Sequence, residues 1–200
     1  MPCWSFIHRS AWRNCPKTIE HGLFRRDQAY RALVLDSRVP MSNETTTLTI
    51  FADYSQFYLQ DEQSDADLAE IWNERSVADL IAVGPGVVAV STARNYHVPV
   101  AIRTLHAAPE EDLNRWDHVA EASLSVPSGC LLIYGPTEWP DVARIAIEPD
   151  QYVVRVCYAG LETVGSNVLE GEDHYEVALW PGPEKVPQVL KRSVWSVKKL

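Results

Sequence analysis

The chain has 200 residues, 46% of them hydrophobic and 22% charged, with seven Trp and eight Tyr, which is the composition of a packed globular domain and not of a disordered or collagen-like chain. No apolar run approaches the roughly 18 residues that a membrane-crossing helix needs, so no membrane partner is expected. The net charge of −9 is uneven: residues 1–40 carry +4, residues 41–190 carry −17 and residues 191–200 carry +4. An acidic body repels phosphate backbones and attracts basic proteins, which argues against direct nucleic-acid binding.

Three segments follow from this pattern. Residues 1–40 form a basic leader without clean helical or alternating periodicity, expected to lie outside the fold. Met41 opens Met-Ser-Asn-Glu-Thr-Thr-Thr, a polar native-like start that makes the leader read as translated upstream sequence. Residues 41–190 read as an acidic β domain, and residues 191–200 as a basic tail.

In chain order, Leu48–Phe51 and Phe57–Leu59 are short β-favouring runs on either side of residues 52–56, either two strands or one long bent strand. Asp65–Trp72 reads as a helical turn capped by Asp65, with a second short helix over Ser76–Ala82. Gly84-Pro85-Gly86 is a turn before strands over Val87–Thr92 and Val98–Leu105. Trp116–Val126 alternates, with Val119, Glu121, Ser123 and Ser125 on one face and His118, Ala120, Ala122, Leu124 and Val126 on the other. Pro127-Ser128-Gly129 then turns the chain, and Cys130–Tyr134 is expected to return as the second arm of a hairpin. Strands over Arg144–Ile147, Tyr152–Ala159 and His174–Trp180 complete the set, the last ended by Pro181-Gly182-Pro183. The fold class expected is all-β: an antiparallel β-sandwich, jelly-roll-like, with one or two short helices.

Motifs that carry chemistry are sparse. Cys3, Cys15, Cys130 and Cys157 have no C-x-x-C spacing, and Cys130 and Cys157 read as buried free thiols of a reducing cytoplasm. The dipeptides Asp117-His118 and Asp173-His174 resemble half of a general-base arrangement, but neighbours on a strand point to opposite faces and cannot pair within a dipeptide. His97, His118 and His174 have no metal-ligand spacing, and Gly165-Ser166-Asn167 lacks the closing glycine of a nucleophile elbow. The acidic run 170–173 lacks regularly spaced calcium ligands. Neither a cofactor nor a metal is expected. Tyr54, Phe57, Tyr58, Trp116, Trp139 and Trp180 serve either core packing or a ligand groove.

The run Tyr54-Ser55-Gln56-Phe57-Tyr58-Leu59-Gln60-Asp61 is similar to a strand of the competence protein J family, bacterial inhibitors of a DNA-entry nuclease. The resemblance extends through a strand ending at Ala93-Arg94-Asn95, a β region closing at Pro127-Ser128-Gly129 and a strand opened by Pro149-Asp150-Gln151-Tyr152, over about residues 48 to 160. It implies a small cytoplasmic β-sandwich that works by binding, with no catalytic residue to carry over. Two functions stand. The first is a non-catalytic protein-binding module, a nuclease inhibitor or immunity-like factor, presenting an acidic surface to a basic partner through Asp61, Glu62, Glu110, Glu111, Asp112, Glu170, Glu172 and Asp173. The second is a small-ligand binder or hydrolase that uses His118 and His174, which requires the two to cluster around a pocket.

Overall fold

Residue alternation along the strands decides the architecture. The computed structural model describes residues 44–110 and 112–194. The strands are β1 (Glu44–Phe51), β2 (Gln56–Asp61), β3 (Ile81–Gly84), β4 (Val87–Ser91), β5 (His97–Thr104), β6 (His118–Val126), β7 (Cys130–Tyr134), β8 (Ala143–Ala146), β9 (Asp150–Ala159), β10 (His174–Pro181) and β11 (Gln188–Lys191), with one α-helix, α1 (Glu74–Asp79). They form a six-stranded sheet ordered β1-β5-β10-β9-β6-β11 and a five-stranded sheet ordered β3-β4-β2-β7-β8. Pairing is antiparallel except between β10 and β5, which run parallel. This is the all-β sandwich expected from the sequence.

The inner faces meet in one core. Tyr152, Val154, Val156 and Tyr158 of β9 and Ala120, Ala122, Leu124 and Val126 of β6 pack towards Phe57 and Leu59 of β2, Val88 and Val90 of β4 and Leu131 and Ile133 of β7. Each such large side chain removed from water contributes about 1.5–3 kcal/mol before the entropy of ordering it. The opposite faces are covered as well. Tyr58, Ala89, Cys130, Leu132 and Tyr134 lie under Ala66, Leu68, Ile71 and Trp72. On the outer face of the larger sheet, Arg155 lies over the Trp180 ring at 5.1 Å.

Several local expectations change. The runs on either side of residues 52–55 are not one bent strand. β1 and β2 belong to different sheets, joined by a tight turn over Asp53–Ser55. No helix covers Asp65–Trp72. That segment forms turns and spends its apolar side chains on the outer face of the smaller sheet. The helix begins instead at Glu74, where Asn73 accepts the Ser76 amide at 3.0 Å and Ser76 Oγ accepts the Asn73 amide at 2.8 Å, a reciprocal capping box. It ends at Leu80, whose φ of 58° stops the helix so that Ile81 and Ala82 enter β3.

Cys130–Tyr134 does not return beside β6. β7 pairs with β2 and β8 in the smaller sheet, where its apolar faces are both covered, Leu131 and Ile133 by the larger sheet and Cys130, Leu132 and Tyr134 by the 66–72 segment. The 127–129 turn therefore crosses between sheets. The tail expected from Lys191 starts inside β11, and Arg192 and Ser193 are tied to the body. The leader over 1–40 lies outside the described residues.

Candidate functional site

Strand directions sort the expected acidic residues into separate places. Asp61 ends β2 at the end of the sandwich that also holds the 84–87 and 127–129 turns. It is 2% exposed, and its carboxylate accepts the Ser128 hydroxyl, the Ser128 amide at 3.0 Å and the Gln63 amide at 3.0 Å. Its carboxylate is spent on shaping those turns. Glu62 beside it is half-buried and 3.7 Å from Arg144. Glu110 and Asp112 are exposed on a segment over the outer face of the larger sheet, where the Pro109 carbonyl accepts Arg155 Nη1 at 3.3 Å. Glu111 lies outside the described residues. Glu170 and Glu172 are exposed at the opposite end from Asp61. Asp173, although adjacent, is fully buried: it accepts the Tyr175 hydroxyl at 2.6 Å and pairs with Arg94. The seven of these residues that are described do not form one surface, and Asp61 and Asp173 belong to the interior.

The two histidines of the alternative reading are not brought together. His118 is fully buried beside Tyr158, their rings 5.0 Å apart, whereas His174 is exposed near Trp116. Both His118 ring nitrogens are committed: Nε2 donates to the Asp79 carbonyl at 3.0 Å and Nδ1 accepts the Ser193 amide at 3.3 Å. Burial pulls its pKa down to about 4, so the ring is neutral and structural. Among the described residues no three His, Cys, Asp or Glu side chains converge as metal ligands.

The end that carries Glu170 and Glu172 is built from four loops, 52–55, 92–96, 135–142 and 160–173, tied to one another by specific hydrogen bonds. The Ala52 amide donates to the Tyr96 carbonyl at 3.0 Å, and the Thr92 amide to the Ser55 carbonyl at 2.8 Å. Asn95 is the hub: its amide donates to the Val168 carbonyl at 2.7 Å and its side-chain oxygen accepts the Ser55 amide at 3.3 Å. Glu138 accepts the Phe51 amide at 2.8 Å and the Gly135 amide at 2.6 Å. Gly135 is required there, because a Cβ would sit 1.9 Å from the Phe51 carbonyl oxygen. Beneath them the Tyr175 hydroxyl accepts the Ala93 amide at 2.7 Å while donating to Asp173, and burial pushes the Tyr175 pKa well above the usual phenol value.

This loop end is acidic and aromatic. Its loops carry Asp53, Glu138, Asp141, Glu162, Glu170, Glu172 and Asp173 against Arg94 as their one basic residue, and Arg94 is spent on Asp173. Asp141, Glu162, Glu170 and Glu172 are exposed. Between them stand Tyr54 (63% exposed), Tyr96 (49%), Leu169 (46%) and Trp139 (41%). Tyr54 and Trp139 are among the aromatics the sequence singles out. Tyr96, Leu169 and Glu138 are not, and their signal in the sequence is the density of Asn, Gly and acidic residues in the loops that carry them, while Asn95 enters only as the end of a strand in the family resemblance.

The molecule is thus a two-sheet all-β sandwich with one acidic, aromatic loop end. No family model matches the chain, and no curated protein matches it. Solved structures are similar to the chain. One is the crystal structure of ComJ, inhibitor of the DNA degrading activity of NucA, from Bacillus subtilis, at a TM-score of 0.52 and 15% identity over 70% of this chain and 96% of that one. Another is crocagin biosynthetic gene J, at a TM-score of 0.49 and 16% identity over 72% of this chain and all of that one. The remote resemblance to competence protein J read from the sequence holds at the level of the fold.

Proposed function

We propose that this chain is a non-catalytic, protein-binding module that inhibits a DNA-degrading nuclease by setting its acidic loop end on the enzyme's basic DNA-binding surface. The observation that carries this reading is the set of four loops, where exposed carboxylates and aromatic rings are gathered and the one arginine those loops carry is paired with a buried aspartate. Carboxylates there stand in for phosphates, raising the association rate and competing with DNA. The fold shared with ComJ, which inhibits the nuclease NucA, supports the reading. No helix among the described residues is long and apolar enough to cross a membrane.

The test is inhibition of DNA degradation by NucA of Bacillus subtilis. The full chain is expected to inhibit with one-to-one stoichiometry, less strongly as salt rises. The combined variant Asp141→Asn, Glu162→Gln, Glu170→Gln and Glu172→Gln is expected to lower the association rate about tenfold at low salt. Equal inhibition by that variant would remove the acidic end from the mechanism.

A further inference from the structure

Backbone strain marks a smaller area within the loop end. Tyr54 and Ser55 are consecutive residues at φ 55° and 54°, and Val168 lies at φ 54°. Side chains with a Cβ disfavour this left-handed region by about 1–2 kcal/mol, and a β-branched valine there is a genuine outlier. Glycine would occupy all three positions without the Cβ clash. The strained turns share one support, because Asn95 binds both: its side-chain oxygen holds the Ser55 amide and its own amide holds the Val168 carbonyl. A second bond braces the first turn, from the Tyr54 amide to Asp53 Oδ1 at 3.0 Å. What the strain achieves is display. Tyr54 projects into solvent from one turn and Leu169 from the residue after Val168, and Tyr96, next to Asn95, is edge-on to Phe51 with ring centroids 6.3 Å apart.

From this geometry we infer that Tyr54, Tyr96 and Leu169 are the anchoring centre of the docking surface, fixed in place by Asn95, and that their occupants are arginine and lysine side chains of the partner's basic face. The inference rests on the nuclease-inhibitor reading and names the contacts that hold the complex once charge has brought it together. Tyrosine faces and a leucine accept the aliphatic stem and the planar guanidinium of an arginine, while carboxylates around them accept its N–H groups. Asp53, Glu162, Glu170 and Glu172 lie on the loops that carry the three anchors. Rigid aromatic anchors ringed by polar groups are also what alanine scans find as hot spots, since little side-chain entropy is lost when they bind.

Tyr54→Gly separates display from folding. It relieves the φ of 55° and deletes the ring, so its melting temperature is expected at or above that of the wild-type chain. On a biosensor carrying NucA of Bacillus subtilis, Tyr54→Gly and Tyr96→Ala are each expected to dissociate about tenfold faster than wild type, a loss that persists at about 0.5 M salt because packing is not screened. Tyr96→Phe keeps the ring and is expected to dissociate at the wild-type rate. Wild-type inhibition with unchanged dissociation of Tyr54→Gly and Tyr96→Ala overturns the anchor assignment and leaves the inhibitor reading intact. Failure of the wild-type chain to bind NucA at low salt overturns both.

Discussion

His118 is a histidine whose fold environment suits only the neutral ring, and that gives the protein a definite pH response. Its Nε2–H is given to the Asp79 carbonyl and its Nδ1 to the Ser193 amide, so a second ring proton would displace the latter. The charged groups facing it are Arg192 and Asp79, which are paired with each other. With a folded pKa of about 4 against about 6.5 when unfolded, the folded chain refuses a proton that the unfolded chain accepts in this window. Stability from this group is therefore complete above about pH 6.5 and is lost as pH falls towards 4, by about 3 kcal/mol in all. Denaturant midpoints at pH 7, 5.5 and 4.5 for wild type and His118→Gln isolate the term. The variant is expected to start less stable at pH 7 and to show a flatter decline, and parallel slopes for the two proteins would assign the acid loss to other groups.

At the scale of elements, β11 and the two residues after it act as a clasp. Glu121 on β6 is buried, which works against its charge. Hydrogen bonds from Arg155 at 2.9 Å, Lys185 at 3.2 Å and Gln188 at 3.1 Å outweigh that cost and hold its pKa below the ordinary value. Arg192 pairs with Asp79 and donates to the Ala78 carbonyl at 2.8 Å, tying the chain end to α1. Ending the chain after Pro187 removes Gln188, Arg192 and the Ser193 amide together and bares the edge of β6. A loss of about 3–5 kcal/mol is expected, read as a lower urea midpoint at pH 7, because buried polar groups are left unsatisfied. A truncated chain as stable as the full one would make residues 188–200 a mere tail. The clasp is hard to read from the sequence because Gln188–Lys191 has only four residues, and its partners Glu121 and His118 lie more than sixty residues away. Alternation over Trp116–Val126 was legible because both faces of β6 are specified by burial. The β6–β7 turn read as a hairpin because turn chemistry at Pro127–Gly129 is local, whereas the choice of sheet is made by the apolar character of both faces of β7. Acidic residues were legible as a total but not as places: Asp61 and Asp173 read like Glu62 and Glu172, and only the fold makes the first of each pair an internal hydrogen-bond acceptor.

For the whole molecule, distance turns a net charge into a directed one. The ten residues of β9 span about 33 Å from one end of the sandwich to the other, and exposed charges are screened within about 8 Å at physiological salt and about 30 Å at 0.01 M. A partner docked on the 52–55, 92–96, 135–142 and 160–173 loops therefore feels Glu170 and Glu172 under all conditions, and feels Glu62 and Asp65 at the far end only when salt is low. At about 0.15 M salt, Glu170→Gln with Glu172→Gln is expected to slow association with NucA several-fold, while Glu62→Gln with Asp65→Asn leaves it unchanged. At about 0.01 M salt both pairs are expected to slow it, the near pair more. Stopped-flow association rates over that salt range separate the cases. If the far-end pair matters as much as the near-end pair at 0.15 M, the partner covers the length of the sandwich and the docking surface is not confined to one end.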